Sequence, residues 1–323
     1  MQKQKFMLTI GLAALMSTTM ISDPATAKDL VIGVSFDKIE PFRVAEQKAL
    51  DEAIANQKAK QSFANADKDA QRQASQVDTM VSQGVSAIIA IPWDIEAAND
   101  LARSTIAAGI PFVSLDQAPS DIKSVTYHVG GDPCADGKVA GEFFVKAAAG
   151  KPFKLLELQG GLANDNGIRR SKCLDDALKA APNITIVAQV PTDWNAQKAL
   201  AGTEDTLQAH PDLAGIYAPW NDALQGVFSV LKAKGKLVPV GDPAHLVIVS
   251  IDGTPLGCKA VRDKLIDLEI ATPLPEMAKR AVAAAVKASQ GGKIEPQAEF
   301  LPGIPYGPGD VDKMANQIWG CQG

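Results

Sequence analysis

Residues 112–116 read Phe-Val-Ser-Leu-Asp, and residues 248–252 read Ile-Val-Ser-Ile-Asp. Each is a short, nearly continuous apolar run that ends on an acid. That is the pattern of a strand covered on both faces, with its last residue emerging at the carboxyl end. A second pair lies upstream: Ala90-Ile91-Pro92-Trp93-Asp94 is matched by Ala218-Pro219-Trp220-Asn221-Asp222. The double echo predicts two similar halves, each presenting a Trp and an Asp at its strand ends.

The surrounding sequence has the same rhythm. Apolar runs at 30–36, 87–91, 111–115 and 124–129 predict strands, with a weaker one at 59–64. Between them, helical periodicity covers 42–57, 70–83 and 95–108. The rhythm restarts with strands at 154–159, 184–190, 214–218, 246–251 and 268–271. Helices are predicted at 135–149, 168–181, 196–210, 223–234, 255–264 and 276–289, followed by a Pro- and Gly-rich tail. Such alternation means βαβ units and parallel sheets. Alone it fits one large sheet, a closed barrel or two lobes. The internal echo selects an α/β fold of two doubly wound parallel-sheet lobes.

Composition agrees: 323 residues, 46% hydrophobic and 21% charged, exclude a disordered chain, a collagen and a coiled coil. With 32 basic and 37 acidic residues the net charge is −5, which argues against a nucleic-acid partner. Residues 1–27 have the order of a secretory signal: Lys3 and Lys5, an apolar run at 6–16, then Ala25-Thr26-Ala27 as a cleavage site. The first cysteine is Cys134, so no lipid anchor is expected, and the predicted location is the periplasm. Cys134, Cys173, Cys258 and Cys321 contain no C-x-x-C pair. An oxidising compartment favours two disulfides over four thiols, and spacing leaves their connectivity open.

Ligands of open α/β sheets bind beyond the carboxyl ends of the strands. Standing there are Asp37, Phe42, Trp93, Asp94, Asp116, Gln117, Gln159, Trp194, Trp220, Asn221, Asp222 and Asp252. Three of the four Trp fall at such tips. Flat rings offer stacking faces, while carboxylates and amides accept hydroxyl protons, a combination suited to a sugar or polyol. Arg170 opens a helix and adds a planar donor fork. Asp94 and Asp222 read as helix caps, and Asp116 and Asp252, at matching positions, as ligand contacts. Truncating Arg170 or Asp252 should then cost affinity and leave folding intact. His128, His210 and His245 read as solvated or capping residues. With no P-loop, G-x-S-x-G, H-E-x-x-H or G-x-G-x-x-G, no enzyme activity, cofactor or metal is expected.

Several words together carry a resemblance: Pro41-Phe42, QGVSAIIAIPWD (83–94), AGIPFVSLD (108–116), LLELQG (155–160), Arg169-Arg170, TDWNAQKAL (192–200), HPDLAGIYAPWND (210–222) and VIVSIDGTPLG (247–257). Over 29–305 the chain resembles the ribose-type periplasmic sugar-binding proteins of ABC importers. The resemblance implies the type I binding-protein fold, with a three-segment hinge near 129–132, 271–274 and 300–303. The N-terminal lobe would comprise 28–130 plus 274–300, and the C-terminal lobe 131–273 plus 301–323. All four cysteines then fall in or beside the second lobe, where Cys134 is expected to pair with Cys173 and Cys258 with Cys321.

The implied ligand set is Phe42, Arg43, Trp93, Asp116, Gln117, Arg170, Trp194, Asn221, Asp252 and Thr272. Arg43 stands where the family has a second aromatic. Gln117 replaces the Arg of an Asp-Arg pair, Trp93 lies two residues beyond a position that is Asn in the family, and Thr272 replaces a hinge Gln. The second-lobe half of the set is kept and the first-lobe half rebuilt, which points away from ribose towards another pentose, a hexose, a polyol or a derivative. The implied partner is an ABC permease in the inner membrane, with the receptor a monomer. A sugar receptor for chemotaxis or a sensor kinase is the alternative. A repressor of the same fold would carry a DNA-binding segment where this chain has its export signal.

Overall fold

A computed structural model describes Met1 and residues 29–322; the predicted signal segment lies almost entirely outside the described residues. Chain order in the first half is β1 (Val31–Phe36), α1 (Pro41–Asn56), β2 (Lys60–Asn65), α2 (Ala70–Ser82), β3 (Ala87–Ala90), α3 (Ala97–Ala107), β4 (Phe112–Leu115) and β5 (Tyr127–Gly131). The second half runs α4 (Pro133–Ala148), β6 (Phe153–Gln159), α5 (Asp165–Leu178), β7 (Ile184–Pro191), α6 (Ala196–Ala209), β8 (Gly215–Ala218), α7 (Ala223–Ala233), β9 (Val247–Asp252), α8 (Pro255–Arg262) and β10 (Leu268–Ala271). Then follow α9 (Leu274–Ser289), β11 (Ala298–Leu301), β12 (Ile304–Tyr306) and α10 (Val311–Met314).

The strands form two six-stranded sheets, ordered β2-β1-β3-β4-β5-β11 and β7-β6-β8-β9-β10-β12. Both follow one doubly wound pattern, so the sequence echo reflects a repeated topology. All pairings are parallel except β10 with β12. Strands β3, β4 and β8 are buried along their whole length, because helices cover both faces. The chain passes between the sheets after β5, after β10 and after β11. Helix α9 follows a strand of the second sheet yet packs on the first. Met277, Ala281, Val282 and Ala285 meet Ile32, Val34, Ile89, Val113 and Val129 there. Each fully buried Val or Ile contributes about 1.5–3 kcal/mol, enough in sum to draw this late helix back.

Two strands differ from the sequence expectation, which left 290–323 without elements. β11 and β12 are short, half-buried edge strands, with Pro302 between them and Pro305 inside β12. Their stability comes from pairing with β5 and β10, which a local pattern does not record. His128 also differs. It lies inside β5, fully buried, with Nδ1 2.9 Å from Ser114 Oγ, and burial pushes its pKa down to about 4.

Both disulfides form within the second half. Cys134–Cys173 joins α4 to α5 and Cys258–Cys321 joins α8 to the C-terminal segment, with Cα–Cα distances of 5.1 and 5.5 Å. Helices α4 and α5 approach closely because position 137 is Gly: a Cβ there would lie 2.3 Å from the carbonyl oxygen of Arg170. Glycine and disulfide together fix the start of α5, and with it Arg170.

Candidate ligand-binding site

The carboxyl ends of the two sheets face each other across a small cavity of about 40 Å³, well below the roughly 300–1,000 Å³ of an open small-molecule site. The first half supplies Lys38, Glu40, Phe42 and Arg43 from the turn after β1 and the start of α1, with Asp116 and Gln117 beyond β4. The second half supplies Asn166 and Arg170 from α5, Trp194 beyond β7, Trp220 and Asp222 beyond β8, and Asp252 at the end of β9. Three of these residues have left-handed or otherwise positive φ: Asp116 at 61°, Trp194 at 58° and Asp252 at 127°. Non-glycine residues rarely adopt such angles, and they cluster at functional sites. Here the sharp backbone turn coincides with side chains that face the cavity.

Each half is organised around one buried guanidinium. Arg43 Nε and Nη2 donate to Asp37 at 2.9 and 3.2 Å; Nη1 donates to Glu46 and pairs with Asp116, both at 2.8 Å. Burial works against the Arg43 cation, but Asp37, Asp116 and Glu46 outweigh it and hold the proton firmly. Burial likewise works against the charge on Asp116. The Arg43 and Arg170 cations and the Asn166 amide overcome it, so its pKa lies below the ordinary carboxylate value. In the second half, Arg170 Nη1 donates to the Pro219 carbonyl at 2.8 Å and lies 3.8 Å from Asp252, while Nη2 lies 3.7 Å from Asp136. Burial pushes Asp252 up to about 7, opposed by Arg170 and the Asn221 backbone N–H.

The halves touch through this site. Asn166 Nδ2 donates to Asp116 at 3.0 Å, and the Asn166 backbone N–H donates to Gln117 Oε1 at 3.2 Å. Lys38 pairs with Glu40 and stands 5.5 Å from the Trp194 ring centroid. Trp194 meets Trp220 edge to face at 5.5 Å.

The comparisons bear on this arrangement. A family described as "Periplasmic binding protein domain" matches residues 32–293. The chain belongs to that family. Among curated relatives, the ribose import binding protein RbsB of Salmonella typhimurium is 28% identical over 299 residues, covering 91% of this chain and 96% of that protein. A galactofuranose-binding protein of known structure superposes with a TM-score of 0.82 at 25% identity, covering 90% of this chain and 98% of the other. A solute-binding protein of Bacillus halodurans with bound myo-inositol has a TM-score of 0.83 at 22% identity, covering 90% and 99%, and shares the fold. The periplasmic binding protein family is one of binding proteins, not catalysts.

In this periplasmic binding protein, Phe42, Arg43, Asp116, Gln117, Arg170, Trp194 and Asp252 meet at the cavity. Trp93, Asn221 and Thr272 are not among its lining residues. Trp93 is half-buried within the first half, its backbone N–H donating to Gln73. Asn221 is fully buried and spent: Nδ2 donates to Ser250 and Glu269, and Oδ1 accepts from the Thr254 N–H and hydroxyl. It holds the turn that carries Asp252, whose Oδ2 accepts from the Asn221 backbone N–H at 2.9 Å. Thr272 is buried at a crossing between the sheets, its carbonyl accepting from Trp319 Nε1. Asp94 caps its turn through the Glu96 and Ala97 N–H groups as expected. Asp222 does not cap α7 and lines the cavity instead. Lys38, Glu40 and Asn166 were absent from the expected set, although the charges of Asp37-Lys38-Ile39-Glu40 directly after a buried strand are a usable signal.

The glycine pair after β6 also has a role here. A Cβ at Gly160 would fall 2.2 Å from the Trp194 ring, so only glycine lets the indole lie over this turn. Gly160→Ala is therefore expected to displace Trp194, shifting tryptophan emission and weakening ligand binding on the order of tenfold. Unchanged emission and affinity would show that Trp194 does not depend on this contact.

Proposed function

We propose that this chain is the solute receptor of an ABC importer, taking a sugar or polyol between its lobes and delivering it to an inner-membrane permease. The observation that carries this reading is the cavity between the two sheets. Aromatic faces (Phe42, Trp194, Trp220) stand beside carboxylates and two guanidiniums that can bond hydroxyls, and Asn166 bonds across to Asp116 and Gln117. Ligand bridging both halves would favour the state in which they touch, a population shift that a permease can read. Relatives named for ribose, D-apiose, xylitol and galactofuranose support the ligand class. Arg43 and Gln117 argue for a ligand other than ribose. Export through residues 1–27 and action as a monomer in the periplasm complete the reading.

Isothermal titration against pentoses, hexoses in pyranose- and furanose-forming series, inositols and linear polyols tests it. At least one should bind with 1:1 stoichiometry and raise the melting temperature. Silence across the panel would overturn the sugar assignment.

A further inference from the structure

The cavity is richer in charge than a neutral guest needs. Glu40, Asp116, Asp222 and Asp252 line it, against Lys38, Arg43 and Arg170. Those cations are also committed elsewhere. Arg43 is held from behind by both oxygens of Asp37 and by Glu46. Arg170 is shared with Asp136. Lys38 is taken by Glu40, which also pairs with Lys68 at 3.2 Å. Asp222 makes no cap bond and no ion pair among the described residues; burial and the nearby Glu40 disfavour its charge, and Lys38 only partly offsets them. Asp222 is thus the lining carboxylate left without an ion pair, and its charge, enclosed between closing lobes, must be neutralised by a proton or by a cation, because unpaired charge is costly away from water.

Two further groups point to the guest. Arg170 Nε and Trp220 Nε1 are buried donors on cavity-lining residues, each without a hydrogen-bond partner among the described residues. They call for acceptor oxygens. A sugar acid or phosphate would supply these but would set its anion beside the unpaired Asp222 carboxylate, an unfavourable like-charge contact. A hydroxylated cation satisfies both demands. The aromatic walls agree, since indole faces attract ammonium groups.

We propose that the ligand is an amino sugar or amino polyol, its hydroxyl oxygens accepting from Arg170 and Trp220 and its ammonium seated at Asp222. This deepens the receptor reading above and rests on it. Asp222 is the specificity-determining residue: the hydroxyl analogue of the same ligand fills the same space but leaves the carboxylate unpaired.

Matched pairs separate the two ideas. D-glucose with D-glucosamine, D-galactose with D-galactosamine, and D-glucitol with 1-amino-1-deoxy-D-glucitol are titrated calorimetrically into the whole protein at neutral pH. The expected result is that in at least one pair the amino member binds ten times more tightly or better. In Asp222→Asn, an isosteric change whose folding is checked by thermal melting, the affinity ratio of that pair should fall to within threefold of unity. Equal or tighter binding of the neutral member in every pair that binds overturns this proposal and leaves the sugar reading standing. A preference that survives Asp222→Asn overturns the assignment of the ammonium to Asp222. Silence in all pairs overturns this proposal, and silence across the wider neutral panel above as well overturns the receptor reading on which it rests.

Discussion

Replacing Arg170 with Ala is expected to destabilise the fold by about 3–5 kcal/mol, the usual effect of removing one partner from a buried ion pair, and to abolish measurable ligand binding. The sequence alone reads Arg170 as a ligand contact whose loss spares folding, and the structure changes that expectation. The Arg170 side chain is almost completely buried, donates to the Pro219 carbonyl and stands between Asp136 and Asp252. Without it, two buried carboxylates lose their nearest cation and the carbonyl loses its donor. Urea unfolding at neutral pH measures the effect. Adding Asp252→Ala to Arg170→Ala should then cost less than Asp252→Ala costs in the parent, since one of the orphaned charges is gone. A destabilisation under about 1 kcal/mol, nearer to a surface ion pair, would show that Arg170 is not the electrostatic centre of this half.

The contrast between Arg170 and the tail strands shows what the sequence could reveal. Strands such as 87–91 and 246–251 are legible because burial on both faces writes a continuous apolar run, and helices such as α2 because one face repeats. Asp116 and Asp252 are legible because topology puts strand ends at the site. β11 and β12 are not, since their partners β5 and β10 lie far away in the chain. Nor is the division of labour at Pro219-Trp220-Asn221-Asp222. Trp220, Asn221 and Asp222, three adjacent aromatic and polar residues, look alike as strand-tip candidates. Only the packing turns Asn221 inward to Ser250, Glu269 and Thr254 and leaves Trp220 and Asp222 at the cavity. The sequence likewise gives no reason for Gly160-Gly161, which only the Trp194 ring lying against them supplies.

In the sequence Arg43 and Gln117 stand as two separate departures from the family pattern that the resemblance implies, an aromatic replaced and a guanidinium lost. In the structure they are two ends of one exchange. The guanidinium missing at 117 is supplied from α1 by Arg43, which reaches Asp116 at 2.8 Å, and Gln117 is thereby free to accept the Asn166 N–H across the cleft. The exchange predicts an asymmetric pair of variants. Arg43→Phe, which restores the family residue type, should destabilise by about 3–5 kcal/mol, because Asp37, Glu46 and Asp116 are left around an apolar ring. Gln117→Arg in that background should recover at least about 1 kcal/mol through renewed pairing with Asp116, the scale of coupling expected between groups that share a partner. In the parent the same Gln117→Arg should be destabilising, since Asp116 already has its cation and the bond to Asn166 is lost. Chemical denaturation of the four proteins gives the coupling directly. Additive effects would mean that Arg43 holds Asp37 and Glu46 alone, and that Asp116 owes nothing to it.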